Sequence, residues 1–208
     1  MPDRSSATIN GLLDDLLAEY RSNLARVWDL RAEEVFRSWC EEQGDFQHIT
    51  RRLPKPVHSL IDLGFGYGRL WHLYSSADTK VGVDISGRML TIAQKYLKNA
   101  SSLELICADL RSLPFAKGSF QVGLAVRTLN HVSPTDIAQV LSEVRRVVFD
   151  HLLIIDSTHV QIDSRLEFIH DYRKLLQEAD YSLIELARLD EATQLIHAQA
   201  ERRKCLNP

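Results

Sequence analysis

The segment Ser59-Leu60-Ile61-Asp62-Leu63-Gly64-Phe65-Gly66-Tyr67-Gly68-Arg69-Leu70 constrains this chain more than any other. It reads as a buried strand, a glycine-rich turn and then a helix, the arrangement of a nucleotide-type binding loop. Its glycines fall as G-x-G-x-G, whereas the dinucleotide fingerprint requires G-x-G-x-x-G, and Arg69 stands where that fingerprint needs its third small residue. Asp62, two residues before the first glycine, puts a negative charge at the mouth of the turn, which disfavours a pyrophosphate and favours a ligand bearing positive charge. Three glycines at alternate positions cost conformational entropy with no evident packing return, so the segment reads as a binding loop rather than a bare turn.

Around this segment the 208 residues are enough for one α/β domain with an N-terminal extension, and a hydrophobic content of 45% supplies a sizeable core. A net charge of -3 leaves no broad basic face for tracking phosphates, so nucleic acid is a poor substrate for this chain, and Arg202-Arg203-Lys204 reads as solvated charge. Cys40, Cys107 and Cys205 are isolated, without C-x-x-C or zinc spacing, which points to a reducing, cytoplasmic compartment and to no bound metal. No apolar run approaches the length of a membrane span.

From residue 8 to about 43, apolar residues recur at helical spacing: Leu12, Leu13, Leu16, Leu17, Tyr20, Leu24, Val27 and Trp28, then Val35, Phe36 and Trp39. Two or three helices are expected there, and residues 1–52 read as a helical lid on a domain of residues 53–208. Pro54 and Pro56 end any helix and straighten the chain into a strand over 57–63. Strands are then expected at 80–83, 103–107, 120–126 and 151–156, with helices over 87–98, 134–148 and 164–179. Ser133 is the expected N-cap of the second of these, with Pro134 at its first position. Strands at 181–189 and 193–201 close the count. The alternation implies a doubly wound, mostly parallel α/β sheet of seven strands with helices on both faces, which binds ligands at the carboxyl ends of its strands.

With Asp62 preceding Gly64, Gly66 and Gly68, the loop has a D-x-G-x-G-x-G form and resembles the first motif of the class I S-adenosylmethionine (SAM) dependent methyltransferases. The resemblance runs from about residue 57 to 201 and implies a final antiparallel strand. It implies that Gly64 and Gly66 let backbone amides approach SAM, that Gly68 opens the following helix, and that Asp62 faces the ammonium and sulfonium. Asp84 ends the second strand and is similar to the family's ribose acid, with Ile85 beside the adenine. Asp109 and Leu110 resemble the pair that takes the adenine amino proton and packs on the ring. Three acids at the ends of successive strands strengthen one another.

The segment from Phe120 to Val132 resembles the family's fourth strand and the loop closing over the methionine part of SAM, although Gln121 stands where members carry Asp. Arg127 and Thr128 are expected beside the sulfonium, and Tyr20 in the N-terminal helices over the methionine end. His131 and His159 fall on the ligand-bearing edge as candidate general bases, since an imidazole titrates near neutrality. Trp28 and Trp39 read as core, and Arg21, Arg26 and Arg31 as exposed helix charge, with recognition of an anionic acceptor as the alternative. The resemblance implies methyl transfer to an oxygen or nitrogen of a small organic acceptor within a specialised biosynthetic pathway. A SAM-binding regulatory or partner subunit without catalysis is the alternative.

Overall fold

β1 (Ser59–Leu63) carries Leu60, Ile61 and Leu63, all fully buried, and its alternation sends them to opposite faces of the sheet. On one side it pairs in parallel with β2 (Thr79–Asp84), and β2 with β3 (Leu103–Cys107). On the other side lie β4 (Phe120–Val126) and β5 (Val148–Ser157), also parallel. The hairpin of β6 (Tyr181–Arg188) and β7 (Thr193–Ala200) then inserts β7 antiparallel against β5, giving the order β3-β2-β1-β4-β5-β7-β6. This is a seven-stranded doubly wound sheet, and its winding reverses between β1 and β4, where a crevice opens at the strand carboxyl ends. The computed structural model describes residues 4–39, 46–98, 100, 102–159 and 167–201. Cys40, Cys205 and Arg202 to Lys204 lie outside them, as do the side chains of Leu12, Leu13 and Trp39.

Where two or three N-terminal helices are expected, a single 36-residue helix, α1 (Arg4–Trp39), runs unbroken, because no proline interrupts it. The short α2 (Phe46–Thr50) follows. α1 is fastened to α3 (Gly87–Tyr96) at that helix's N-terminus: Asp29 Oδ1 accepts from Ser86 Oγ at 2.6 Å and from the Arg88 amide at 3.0 Å. An anion at this point also meets the positive end of the α3 dipole. Ser86 in turn accepts from the Met89 amide, so the cap and the docking site are one residue.

The connection from β1 to β2 departs from expectation. No α-helix begins at Gly68; a single 3-10 turn, Trp71–Leu73, is all that intervenes. Gly64, Gly66 and Gly68 all have positive φ (+75°, +58° and +82°), so the chain is still turning where a helix would have to start. The space a crossover helix would fill on the sheet is taken by Phe65, Leu70 and Tyr74, packed with Ile49 of α2 and Leu90 of α3. The opposite face is covered by α4 (Ile137–Val147) and α5 (Tyr172–Glu178). α4 starts after a turn, at N-cap Asp136 rather than Ser133, and the helix expected over 164–179 begins only at Tyr172, capped by Asp171, because 167–171 run without helix.

Candidate active site

The glycine loop is tied to the end of β2. The Gly64 and Phe65 amides both donate to the Val83 carbonyl oxygen, at 2.8 and 2.9 Å. The Gly66 amide donates to Asp84 Oδ2 at 2.8 Å, while Asp84 Oδ1 accepts from the Ser86 amide at 2.8 Å. Burial raises the Asp84 pKa, against the pull of these two amides. Each carboxylate oxygen keeps a lone pair beyond the one its amide uses, and Asp84 lines a cavity of about 500 Å³. Packing dictates two of the glycines after all: a Cβ on Gly64 would lie 2.2 Å from Thr128 Oγ1, and one on Gly68 would lie 2.5 Å from Leu97 Cδ1. Gly66 differs, since its Cβ position meets nothing within 4 Å and the residue borders the cavity.

α1 roofs the cavity with Tyr20, Leu24, Trp28 and Val35. Ile85 after β2 and Leu110 after β3 face it from one side; Thr128 and His131 after β4, with Glu167, close the other. Tyr20 OH donates to the His131 carbonyl oxygen at 2.9 Å, and the Trp28 ring meets the His131 ring edge-on at 4.7 Å. The roof and the post-β4 turn, Leu129–His131, are therefore one packed unit.

Of the residues singled out in the sequence, the structure brings Tyr20, Gly64, Gly66, Asp84, Ile85, Asp109, Leu110, Arg127 and His131 to the cavity. Asp62, Gly68 and His159 are not there. Asp62 is 3% exposed behind the loop, its Oδ2 accepting from Tyr74 OH at 2.6 Å, and burial pushes its pKa up to about 7 against that bond and the charge of Arg69. It faces Tyr74 behind the loop rather than the cavity. His159 is exposed beyond β5, with Thr158 Oγ1 3.4 Å from its Nδ1. Arg127 turns its guanidinium toward β7, where Nη2 donates to Thr193 Oγ1 at 2.9 Å.

Asp109 is at the cavity, but its carboxylate is gripped by Arg111. Nε reaches both oxygens at 3.0 Å, Nη2 reaches Oδ2 at 2.5 Å, and the backbone amide reaches Oδ1 at 2.8 Å. Burial alone would raise its pKa; Arg111, by these bonds and its charge, holds it below the ordinary range. The same arginine lies 3.3 Å from Asp136, which pairs with Arg21 at 2.7 Å. This chain of four charges fixes α1 over the loop after β3. Trp28, Arg21 and Arg31, read as core or solvated charge, border the cavity, as do Arg111, Asp136 and Glu167, which no motif signals. Only the D-x-R spacing of Asp109 and Arg111 hints at their pairing.

A carboxylate bonded to the loop and open to the cavity, set between apolar Ile85 and Leu110, suits the ribose diol and flat base of an adenosine. Residues 60–151 match the family described as Methyltransferase domain. Over that segment the chain is similar to the methyltransferases. It is 34% identical over 98 residues to the uncharacterized 37.1 kDa protein in transposon TN4556 of Streptomyces fradiae, across 45% of this chain and 28% of that protein. It is 26% identical over 117 residues to dTDP-3-amino-3,6-dideoxy-alpha-D-glucopyranose N,N-dimethyltransferase of the same organism, across 56% of this chain and 45% of that protein. The chain spans under half the length of these curated relatives. In fold it is similar to magnesium protoporphyrin IX methyltransferase from Synechocystis PCC 6803, solved with bound SAH, with a TM-score of 0.72 at 15% identity. That likeness covers 87% of this chain and 100% of the other. Among the described residues, no helix is long and apolar enough to cross a membrane.

Proposed function

We propose that the methyltransferase domain binds SAM in this cavity and directs its methyl group to an oxygen or nitrogen of a small organic acceptor. The observation that carries the reading is Asp84, a buried carboxylate fastened to the loop through Gly66 and facing a roofed cavity. In this reading Asp84 accepts from the ribose hydroxyls, Ile85 and Leu110 border the adenine, and the open side of Gly66 admits the ligand against the backbone. SAM supplies a methyl group on a sulfonium, a good leaving group, so the chain has chiefly to position the acceptor and exclude water. α1, held by Asp29, Arg21 and Tyr20, forms the wall that does so. The N,N-dimethyltransferase relative supports nitrogen as the accepting atom and a biosynthetic setting.

One observation favours a second reading, a SAM-binding subunit without turnover. With no helix beginning at Gly68, no helix N-terminus meets the ligand's carboxylate, and Arg69 on the cavity wall is the positive charge nearest in sequence to that place. The two readings separate in a turnover assay that follows SAH release across a panel of amine and hydroxyl acceptors. Release with any acceptor establishes methyl transfer; saturable SAM binding with no release across the panel favours the subunit.

A further inference from the structure

We propose that Glu167 receives the acceptor, and that the atom it presents for methylation is an amine nitrogen. The inference rests on the methyltransferase reading above. The acids that border the cavity are otherwise committed: Asp84 to two backbone amides, Asp109 to Arg111, and Asp136 to Arg21 and Arg111. Glu34 lies 3.8 Å from Arg31. Glu167 differs, because its Oε2 is buried with no hydrogen-bond partner among the described residues. A buried acceptor left unpaired is costly, and a donor arriving with the acceptor molecule removes that cost.

Its backbone is fixed where the acceptor must stand. The Phe168 amide donates to the Asn130 carbonyl oxygen at 2.6 Å, and His170 Nε2 lies 3.0 Å from that of Leu129. The Phe168 ring meets Tyr20 at 6.0 Å, and Tyr20 is bonded to His131. Glu167 is thereby pinned beside the post-β4 turn, at the end of the cavity opposite Ile85 and Leu110. A hydroxyl would satisfy its hydrogen bond but leave its charge uncompensated; an ammonium satisfies both. The aromatic ring of Tyr20 suits an ammonium as well, whereas that of Trp28 already carries the Arg31 guanidinium at 5.4 Å.

In the transfer, the acceptor ammonium passes one proton to the Glu167 carboxylate. The freed nitrogen lone pair forms the bond to the methyl carbon as the carbon–sulfur bond breaks and its electron pair stays on sulfur. The products are the methylated ammonium and SAH, and the Glu167 proton leaves to solvent.

The test uses the full chain and two ring-sized probes alike in shape, cyclohexylammonium and cyclohexanol, added to SAH-saturated protein. Binding is followed by carboxyl ¹³C NMR of Glu167 and by the Trp28 indole resonance, and SAH affinity by calorimetry. Wild type is expected to bind the amine about tenfold more tightly than the alcohol, with a shift of the Glu167 carboxyl. Glu167→Gln, the same size and uncharged, should lose that preference to within about twofold while SAH affinity stays within about twofold. Equal binding of both probes by wild type, no response to the amine, or an undiminished preference in E167Q overturns the inference alone. Absence of SAH binding to wild type overturns the methyltransferase reading, and the inference with it.

Discussion

The two ends of the cavity are built in different ways. At the Asp84 end, polar groups are satisfied by backbone from adjacent strands: the glycine loop hangs from Val83 and Asp84, and Asp84 is held by Gly66 and Ser86. At the Glu167 end, side chains from α1, the post-β4 turn and the stretch before α5 meet across long sequence separations, as when Tyr20 bonds to His131. The first end is a local design that preorganises one shape. The second is an assembly of separate pieces that takes its form only when α1 is docked on the sheet.

That contrast breaks most visibly at the loop. Gly66→Val should reduce SAM affinity at least about a hundredfold, since a branched side chain at φ +58° both strains the backbone and projects into the cavity. Calorimetry on the folded variant checks it, and wild-type affinity there would mean that the ligand lies elsewhere. Asp84→Ala should cost roughly 1.5–3 kcal/mol, about 10- to 150-fold in SAM affinity, by removing charge-assisted bonds to ribose and slackening the loop. An unchanged Kd would remove Asp84 from the site. At the other end the effects should be smaller. His131→Ala removes the edge-on contact with Trp28, worth about 0.5–1.5 kcal/mol, so turnover and SAM affinity should fall together by roughly 2- to 12-fold. A large loss of rate alone, rescued by raising pH, would instead make His131 the base.

Behind each end sits a buried acid paired with a tyrosine, and these pairs sharpen the comparison without touching a ligand. Asp62 accepts from Tyr74, and Asp156 from Tyr172 and the Asn130 amide; burial pushes both acids up to about 7. A raised carboxyl pKa means that the folded chain holds protons the unfolded chain has released. Each pair's contribution is full below about pH 4 and is lost as pH rises through about 7, at about 1.4 kcal/mol per unit of displacement. Asp62→Asn and Asp156→Asn keep an acceptor for the tyrosine and lose the titration. Each should therefore gain in Tm over wild type more at pH 8 than at pH 4, with SAM affinity nearly unchanged; an offset equal at both pH values would mean that the acids are not displaced.

The difference in construction also explains what could be read from the sequence. The strands, the loop, Asp84, Ile85 and Leu110 are legible because each rests on residues within a few positions of one another. The missing crossover helix was not, since the choice depends on Phe65, Leu70 and Tyr74 filling its place from within the loop, a packing outcome that periodicity does not encode. Asp62 is legible as a residue of β1, but its pairing with Tyr74 depends on how the chain after Gly68 folds back behind the loop, which no local pattern encodes. Trp28 and Glu167 were hidden for a similar reason: a tryptophan on a helical stripe, and a glutamate before a helix, become cavity walls only when α1 and the post-β4 turn come together.

Calorimetric titration of the full chain with SAH, and in parallel with NAD, tests the central claim most directly. The cavity described here predicts one saturable SAH site per chain, with a Kd at least about tenfold below that for NAD. NAD binding as tight as SAH or tighter, or no binding of SAH at all, would contradict it.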